Sequence, residues 1–215
     1  MNLTTGQAAQ ALGVSIPTVE RLIASGAVPG TATHGRRQVF PLSAAQTMAR
    51  LPVAPLKQLP GPEVPVLRVG VAERVDEPDR AWIGYSAGLG ADQLLLALRE
   101  WWRCDPDRVA ASTILPVTIA GFVVAVLTDL GDPVSDNGGR YARYSFRHAR
   151  LAGYVTDLTN PVNALTPAPD GTADAACAAL LLGTRLSSKS GGPIAYVATR
   201  ALFTHATTSS AEGEA

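Results

Sequence analysis

Five prolines fall between residues 51 and 65, in the stretch LPVAPLKQLPGPEVP, and they divide the chain into two unequal parts. Each proline restricts φ to about −65° and lacks a backbone N–H, so the stretch disfavours both a helix and a central strand. We therefore expect a compact unit at residues 1–50, an extended linker at 51–65 and a larger domain at 66–203. The polar residues 204–215 are expected to form a disordered tail.

The composition is typical of a folded cytoplasmic protein. Hydrophobic residues make up 47% of the chain, which is too many for a disordered protein. Cys104 and Cys177 lie far apart without CxxC spacing, so we expect reduced thiols and no metal site. Because we find no signal peptide and no apolar stretch long enough to span a bilayer, we expect no membrane association.

Positive charge is concentrated at the start of the chain. The net charge of the whole chain is zero, but residues 1–50 contain four arginines and a single glutamate, a net charge of +3. Phosphate binding depends on local charge at cellular salt concentrations. If the protein binds nucleic acid, this first part is therefore the best candidate.

Residues 4–26 predict two short helices joined by a tight turn. Gly13 suits the positive φ that ends a helix, and Gly26 ends the second helix. Ser15 is predicted to cap that second helix, with Pro17 in its first turn. Thr4 or Thr5 is predicted to cap the first helix. Helical spacing predicts that the two helices bury Ala8, Ala9, Leu12, Val19, Leu22 and Ile23. This arrangement is typical of a helix-turn-helix.

The outward face of the second helix is the predicted DNA-reading surface. Short polar side chains there let the backbone approach a phosphate or a base edge, and Arg21 is long enough to reach guanine. Glu20 is open to two interpretations, since it either accepts from a cytosine amino group or repels phosphate. The outward positions are Ser15, Pro17, Thr18, Arg21, Ala24 and Ser25.

A two-stranded ribbon is predicted next, in VPGTATHGRRQVF. Residues 31–33 would pair with residues 38–40 around a tip at His34, Gly35 and Arg36. Arg36 and Arg37 would project from the ribbon towards phosphates or a minor groove. A short third helix should follow, with Ser43 as its N-cap.

The first fifty residues resemble the winged helix-turn-helix of the MerR and excisionase superfamily. The resemblance lies in three elements that occur in the same order, TTGQAAQALGVS, TVERLIASG and GRRQVF. The resemblance implies DNA binding, with Ser15, Thr18 and Arg21 at the groove and Arg36 and Arg37 at the backbone. Full MerR regulators continue into a long dimerising helix and a ligand or metal site, whereas a proline-rich segment follows here. The predicted DNA-binding residues are Ser15, Pro17, Thr18, Arg21, His34, Arg36 and Arg37.

The larger domain predicts a mixture of helices and strands. GADQLLLALREWW and GTADAACAALLLGTRL are predicted helices, and TILPVTIAGFVVAVLTDL predicts two strands around a bend at Gly121. A half-exposed strand pair is predicted in RYARYSFRHARLAGYVTDL, after a turn at 137–139. The stretch PIAYVATRAL predicts either a last strand or a strand–helix junction. The expected fold class is α+β, with a small curled sheet or a barrel as the arrangement of the strands.

Two groups in this domain have both a functional and a structural interpretation. Its aromatic and basic segments resemble PUA-like domains, in which Trp82, Tyr85, Trp101 and Trp102 would line a pocket for an extruded base, but tryptophans beside a leucine-rich helix are also ordinary core residues. A basic group either forms a second nucleic-acid surface or is a solvated face neutralised by nearby aspartates. That group consists of Arg140, Arg143, Arg147 and Arg150.

Enzyme signatures are weak. GYSAG places Ser86 as in the G-x-S-x-G of hydrolases, which requires a strand-to-helix elbow, an acid and a histidine. The domain is too small for a full hydrolase of that type, and neither a P-loop nor a dinucleotide loop occurs, so we expect no enzyme and no cofactor.

The prediction is a sequence-specific double-stranded DNA-binding protein that regulates transcription as a homodimer, cytoplasmic and associated with the nucleoid. Its larger domain would serve dimerisation, ligand sensing or a second nucleic-acid contact. The alternatives are an excisionase-like accessory factor of recombination, an enzyme domain delivered to DNA, or a protein-docking module.

Overall fold

The computed structural model describes residues 1–35, 37–136, 141–166, 172–189 and 192–200. The predicted turn at 137–139, the whole predicted tail at 204–215, and the site residues Arg36 and Arg140 lie outside these ranges. The first elements are β1 (Asn2–Thr4), α1 (Thr5–Leu12), α2 (Ile16–Ala24), β2 (Ala32–His34), β3 (Arg37–Pro41), α3 (Leu42–Ala49) and a 3₁₀ helix (Leu56–Gln58). The remaining elements are β4 (Glu63–Val69), β5 (Glu73–Glu77), β6 (Arg80–Ile83), α4 (Ala91–Arg99), α5 (Pro106–Ala110), β7 (Leu115–Ile119), β8 (Phe122–Thr128), β9 (Val134–Ser135), β10 (Tyr144–Ser145), β11 (Arg150–Tyr154), α6 (Thr172–Leu181) and β12 (Ile194–Ala198).

The turn between α1 and α2 forms where the sequence predicts it. Thr4 and Gln7 form a capping box at the start of α1, and Gly13 ends the helix at φ +66°. Ser15 occupies the N-cap position of α2, but its hydroxyl lies 2.9 Å from the Thr18 hydroxyl and does not bond to the helix backbone. Helix α1 then packs against both α2 and α3, which fixes the orientation of α2.

The predicted ribbon is part of a three-stranded sheet. Strand β2 pairs with β3 as expected, with Thr33 opposite Gln38, and β1 adds a third strand on the other side of β3. Phe40 is fully buried, so it ties the ribbon to the helices. Helix α3 begins at Leu42 with Pro41 in the N-cap position, so the prediction of a Ser43 cap is wrong, because β3 runs directly into the helix.

The larger part of the chain is built on an open five-stranded sheet. Its strand order is β11-β8-β7-β4-β12, in which only the β4–β7 pair is parallel. The predicted bend between β7 and β8 is confirmed, since Ala120 and Gly121 both adopt a positive φ. All residues of β7 and β8 are buried. The protein is thus α+β, and the expectation of a barrel is wrong because, within the described residues, β11 and β12 lie at opposite ends of the sheet and do not pair with each other.

The proline-rich segment does not behave as a free extended connector. Strand β4 begins at Glu63, so Pro65 lies in the sheet opposite Tyr196, and the prediction that this segment excludes a strand is wrong there. Pro65 precedes the stretch of β4 that pairs with β7, so its missing N–H removes no bond of that ladder. The amide of Ala54 donates to the carbonyl of Arg185 at 2.9 Å, and the amide of Arg185 donates to the carbonyl of Pro52 at 2.8 Å, so the segment is fastened to the larger part.

The first fifty residues pack directly on the rest of the chain. The amide of Ala87 donates to the carbonyl of Ser25 at 2.9 Å, and the amide of Leu158 donates to the carbonyl of Ala27 at 2.8 Å. Ala27 is fully buried, and one contiguous hydrophobic cluster includes side chains from both parts. Helix α2 is therefore held beside the five-stranded sheet.

Two further predictions in the larger part need correction. Helix α4 ends at Arg99, and Trp102 forms a bridge with Tyr144 instead of continuing the helix. Strands β10 and β11 do not pair with each other, because β10 pairs with β9 and β11 extends the main sheet beside β8.

Among the described helices, none has the length and apolar character needed to span a membrane.

Candidate nucleic-acid interface

Helix α2 has a buried face and an exposed face. Val19 and Leu22 are fully buried towards the core, as the helical spacing predicts. The exposed positions on and before α2 are Ser15, Ile16, Pro17, Glu20, Arg21 and Ala24, and Thr18 is half-buried at the margin. The helix therefore offers short polar and apolar side chains together with the cation of Arg21 and the carboxylate of Glu20.

One of the outward positions is wrong. Ser25 is fully buried, its hydroxyl donates to the carbonyl of Leu22 at 2.9 Å, and its own carbonyl accepts from Ala87. The helix has ended at this point, so the residue follows the chain towards the larger part rather than the exposed face. Ile16, which lies three residues before the buried Val19, is exposed on 47% of its surface.

The ribbon presents Arg37 to solvent next to the start of α1. Arg37 pairs with His34 in the backbone register beside the tip, and its side chain is exposed. It borders an open groove together with Thr4 and Thr5. No carboxylate within the described ranges forms an ion pair with Arg37. Hydroxyls and an arginine along one groove are the groups that proteins use to hold phosphate oxygens.

A cleft separates α2 from the end of the five-stranded sheet. It encloses about 480 Å³, and Thr18 and Arg21 form its α2 wall. The opposite wall comes from β4, from the end of β7 with the turn that follows it, and from the segment after α6. The residues of that wall are Arg68, Val69, Gly70, Thr118, Ala120, Gly121, Leu186, Ser187, Ser188 and Gly192. Two of the predicted DNA-reading side chains thus also face the larger part of the chain.

The second arginine surface is largely neutralised. Arg143 contacts Asp136 at 2.8 Å and Glu77 at 3.8 Å, while Arg150 contacts Asp174 at 3.0 Å and also Asp129. Three of these four carboxylates are aspartates, as the structural interpretation of this group expects.

Arg147 is the remaining described member of the surface, and its guanidinium lies 6.0 Å from the centre of the Trp101 ring. Carboxylates that already satisfy two of these arginines leave little net positive charge for a phosphate. The structure therefore favours the structural interpretation of this surface.

The aromatic residues of the larger part do not form a common pocket wall. Tyr85 is fully buried and donates its hydroxyl to the carbonyl of Val155 at 2.6 Å, and burial raises the pKa of its phenol. Trp102 is also buried, with its indole N–H donating to the carbonyl of Leu98. Trp82 lies half-buried under the guanidinium of Arg74. These contacts favour the interpretation as core residues.

Ser86 is not placed as a hydrolase nucleophile. Strand β6 ends at Ile83 and α4 begins at Ala91, so several residues separate the serine from the helix and no direct strand-to-helix elbow forms. Its hydroxyl oxygen accepts from the amide of Gly88 at 3.2 Å.

Within the part of the chain that the structure describes, no group of histidine, cysteine and carboxylate side chains is arranged to hold a metal ion.

Both cysteines are free thiols. Burial raises the pKa of the Cys104 thiol to about 12, with a further contribution from the charge of Asp105. Burial also raises the pKa of Cys177, to which Asp174 contributes. Neither thiol is therefore activated as a nucleophile or a metal ligand.

Sequence reasoning found one wall of the cleft and missed the other. Arg68, Thr118 and Ser188 face Arg21 although 47 to 167 positions separate them along the chain. Only the strand order, which places the end of β4 beside the end of β7, brings them together.

Comparisons with protein families, with curated proteins and with solved structures found no match to this chain.

Proposed function

We propose that this protein is a sequence-specific double-stranded DNA-binding protein that regulates transcription, with residues 1–50 acting as a winged helix-turn-helix. In this proposal α2 enters the major groove and the β2–β3 ribbon contacts the backbone. The observation that carries the proposal is the exposed face of α2, whose opposite face is fully packed on α1 and the core. A helix held in this way keeps its outer side chains in fixed positions, which is the arrangement that a recognition helix needs.

The side chains on the exposed face match the chemistry of base edges. Arg21 supplies a guanidinium that can bond to both acceptors of guanine in the major groove, and Glu20 can accept from the amino group of cytosine. Ile16 and Pro17 offer apolar contact to a thymine methyl group. Ser15 and Thr18 already share a hydroxyl contact, so the start of α2 is ordered before any DNA is bound.

The ribbon supplies the part of DNA binding that does not depend on the base sequence. Arg37 is exposed beside the hydroxyls of Thr4 and Thr5, and the first fifty residues carry a net charge of +3. Contacts of this type set the orientation of a protein on the duplex and make its affinity depend on salt. His34 and Arg36, which flank Gly35 in the sequence, are proposed to add to this contact.

The proposed regulator binds as a homodimer to two half-sites. A two-fold dimer on a palindromic operator doubles the contact surface and sets the spacing of the half-sites. The larger part of the chain would supply the dimer contact and the sensing of a ligand. This role requires no catalytic step and no metal.

Selection from a library of random duplexes tests the proposal. At low ionic strength the full chain should retain duplexes with a common motif, and Arg21→Ala should lose the preference at one base pair, a change of about 1–3 kcal/mol at that position. Arg103→Ala, which changes an arginine stacked on Tyr141 in the larger part, is the matched control and should keep the motif.

Three results would contradict the proposal in different ways. No retained duplex would exclude DNA binding and leave a docking module. Retention without a motif would exclude base reading by α2. A motif of tandem repeats that the protein bends would exclude a dimeric regulator and favour an accessory factor of recombination.

A further inference from the structure

We propose that the cleft between α2 and the five-stranded sheet binds a small phosphorylated molecule, and that this ligand controls DNA binding through Arg21. The second half of this inference depends on the proposed function, whereas the first half does not. The cleft volume of about 480 Å³ lies within the range of roughly 300–1,000 Å³ that is common for small-molecule sites. It is large enough for a phosphate attached to a sugar.

The charge of the cleft favours an anion. Arg21 and Arg68 lie on opposite walls, and no carboxylate is among the described residues that line it. Arg68 is half-buried and donates to the carbonyl of Gly192, which fixes the position of its guanidinium. Two guanidinium groups facing one space suit the oxygens of a phosphate, since each offers several N–H donors in a fixed plane.

Hydroxyl groups complete the polar lining. Thr18, Thr118, Ser187 and Ser188 are among the residues that line the cleft. The hydroxyl of Thr118 donates to the carbonyl of Leu67, and the hydroxyl of Thr18 lies 2.9 Å from that of Ser15. Hydroxyls both donate and accept, so they can bond to phosphate oxygens and to the hydroxyls of a sugar. Leu186 and Val69 supply an apolar part against which the carbon atoms of such a ligand can pack.

The shape of the cleft favours a small ligand over a duplex. Thr118 is only 3% exposed and Arg68 is half-buried, so both lie deeper than the exposed Arg21. Gly70 and Gly121 carry no side chains on this wall, and no atom lies within 4 Å of the position that a Cβ would occupy at either residue. A molecule that reaches this wall has to fit inside the cleft, and a space of about 480 Å³ is too small to hold a duplex.

The position of Arg21 couples the two binding events. A guanidinium that bonds to a phosphate in the cleft cannot also bond to a guanine edge. Occupation of the cleft should therefore weaken sequence-specific DNA binding, and DNA should weaken ligand binding by the same factor. Couplings of this kind are typically about 5- to 150-fold.

Isothermal titration calorimetry of the full chain with ribose 5-phosphate tests the site. The expected result is binding of ribose 5-phosphate and no detectable binding of ribose, which lacks the charge. Arg68→Gln should weaken the binding at least tenfold. Because that change also alters the contact with Gly192, Ser188→Asp serves as a second variant, which places a negative charge in the cleft and leaves Arg68 intact. Arg103→Gln is the control and should bind as the unchanged protein does.

The inference is overturned if ribose 5-phosphate does not bind, if ribose binds equally well, or if both cleft variants bind as the control does. Fluorescence anisotropy with a selected duplex, at constant ionic strength, tests the coupling. Ribose 5-phosphate should weaken the affinity at least fivefold and ribose should not. Retention of DNA without binding of ribose 5-phosphate would refute the cleft and leave the proposed function standing. Binding of ribose 5-phosphate without retention of any duplex would refute the proposed function and leave the cleft standing.

Discussion

Replacing Arg37 with glutamine should change the salt dependence of DNA affinity, because this side chain is expected to hold a backbone phosphate. Arg37 is exposed on the ribbon, and none of the described carboxylates neutralises it. Each neutralised phosphate contributes a slope of about −0.9 to the dependence of log affinity on log salt concentration. Losing one such contact should therefore flatten the slope by about 0.9.

The size of the effect follows from that slope. Over a fourfold increase in salt, from about 50 mM to about 200 mM, the DNA affinity of the unsubstituted protein, divided by that of Arg37→Gln, should fall by about 3.5-fold. Fluorescence anisotropy with one labelled duplex, repeated at four salt concentrations, measures both slopes. The loss should be equal for selected and unrelated duplexes, since a phosphate contact reads no sequence.

Arg150→Gln is the matched control. Arg150 is equally an exposed arginine, but it is paired with Asp129 and Asp174, so its removal should leave the slope unchanged. If Arg150→Gln flattened the slope and Arg37→Gln did not, the interface would lie on the second arginine surface and the reasoning about the ribbon would be refuted.

Three further predictions concern packing and reactivity. Gly183→Ala should lower the free energy of unfolding by about 2–5 kcal/mol in urea denaturation, because the glycine has φ +74° and a Cβ there would overlap the ring of Pro161. Gly13→Ala has a similar φ of +66° but open space, so its cost should be only about 1–2 kcal/mol, and equal costs would refute the steric argument. Tyr85→Phe should cost about 1–3 kcal/mol in the same assay, since it leaves a buried carbonyl without its donor, and an unchanged stability would contradict that hydrogen bond. Cys104 should react slowly with iodoacetamide at pH 8, because a pKa of about 12 leaves about one thiol in ten thousand ionised, and alkylation at the rate of a free cysteine would show that this thiol is not buried.

The first fifty residues could be predicted well because their signals are local. Gly13 and the capping residue Thr4 mark the end and the start of α1, and Gly35 lies at the ribbon tip between strands of the predicted register. Such signals act within a few residues, so the sequence alone contains them. The same is true of the bend at Gly121, which lies between two runs of β-branched residues.

The errors occur where distant parts of the chain decide the structure. Pro65 lies in a strand because β12 and β7 are available on either side of β4, which no local pattern reveals. Ser25 is buried because Ala87 and its neighbours cover it. The pairing of β11 with β8, instead of with β10, is likewise settled by the sheet as a whole.

The candidate site was accessible to sequence reasoning in part. Arg21 and Arg37 could be found from helical spacing and from the ribbon, and both are exposed in the structure. The wall that contains Arg68 could not be found, because an arginine at the end of a strand carries no signal until the strand order places it opposite α2.

Amide chemical-shift mapping of the full chain against a selected duplex tests most directly the claim that α2 and the ribbon form the DNA interface. We expect the largest shifts at residues 15–24 and 31–39, with smaller changes along the cleft. Shifts concentrated at residues 141–154, or no shifts at any DNA concentration at low ionic strength, would contradict it.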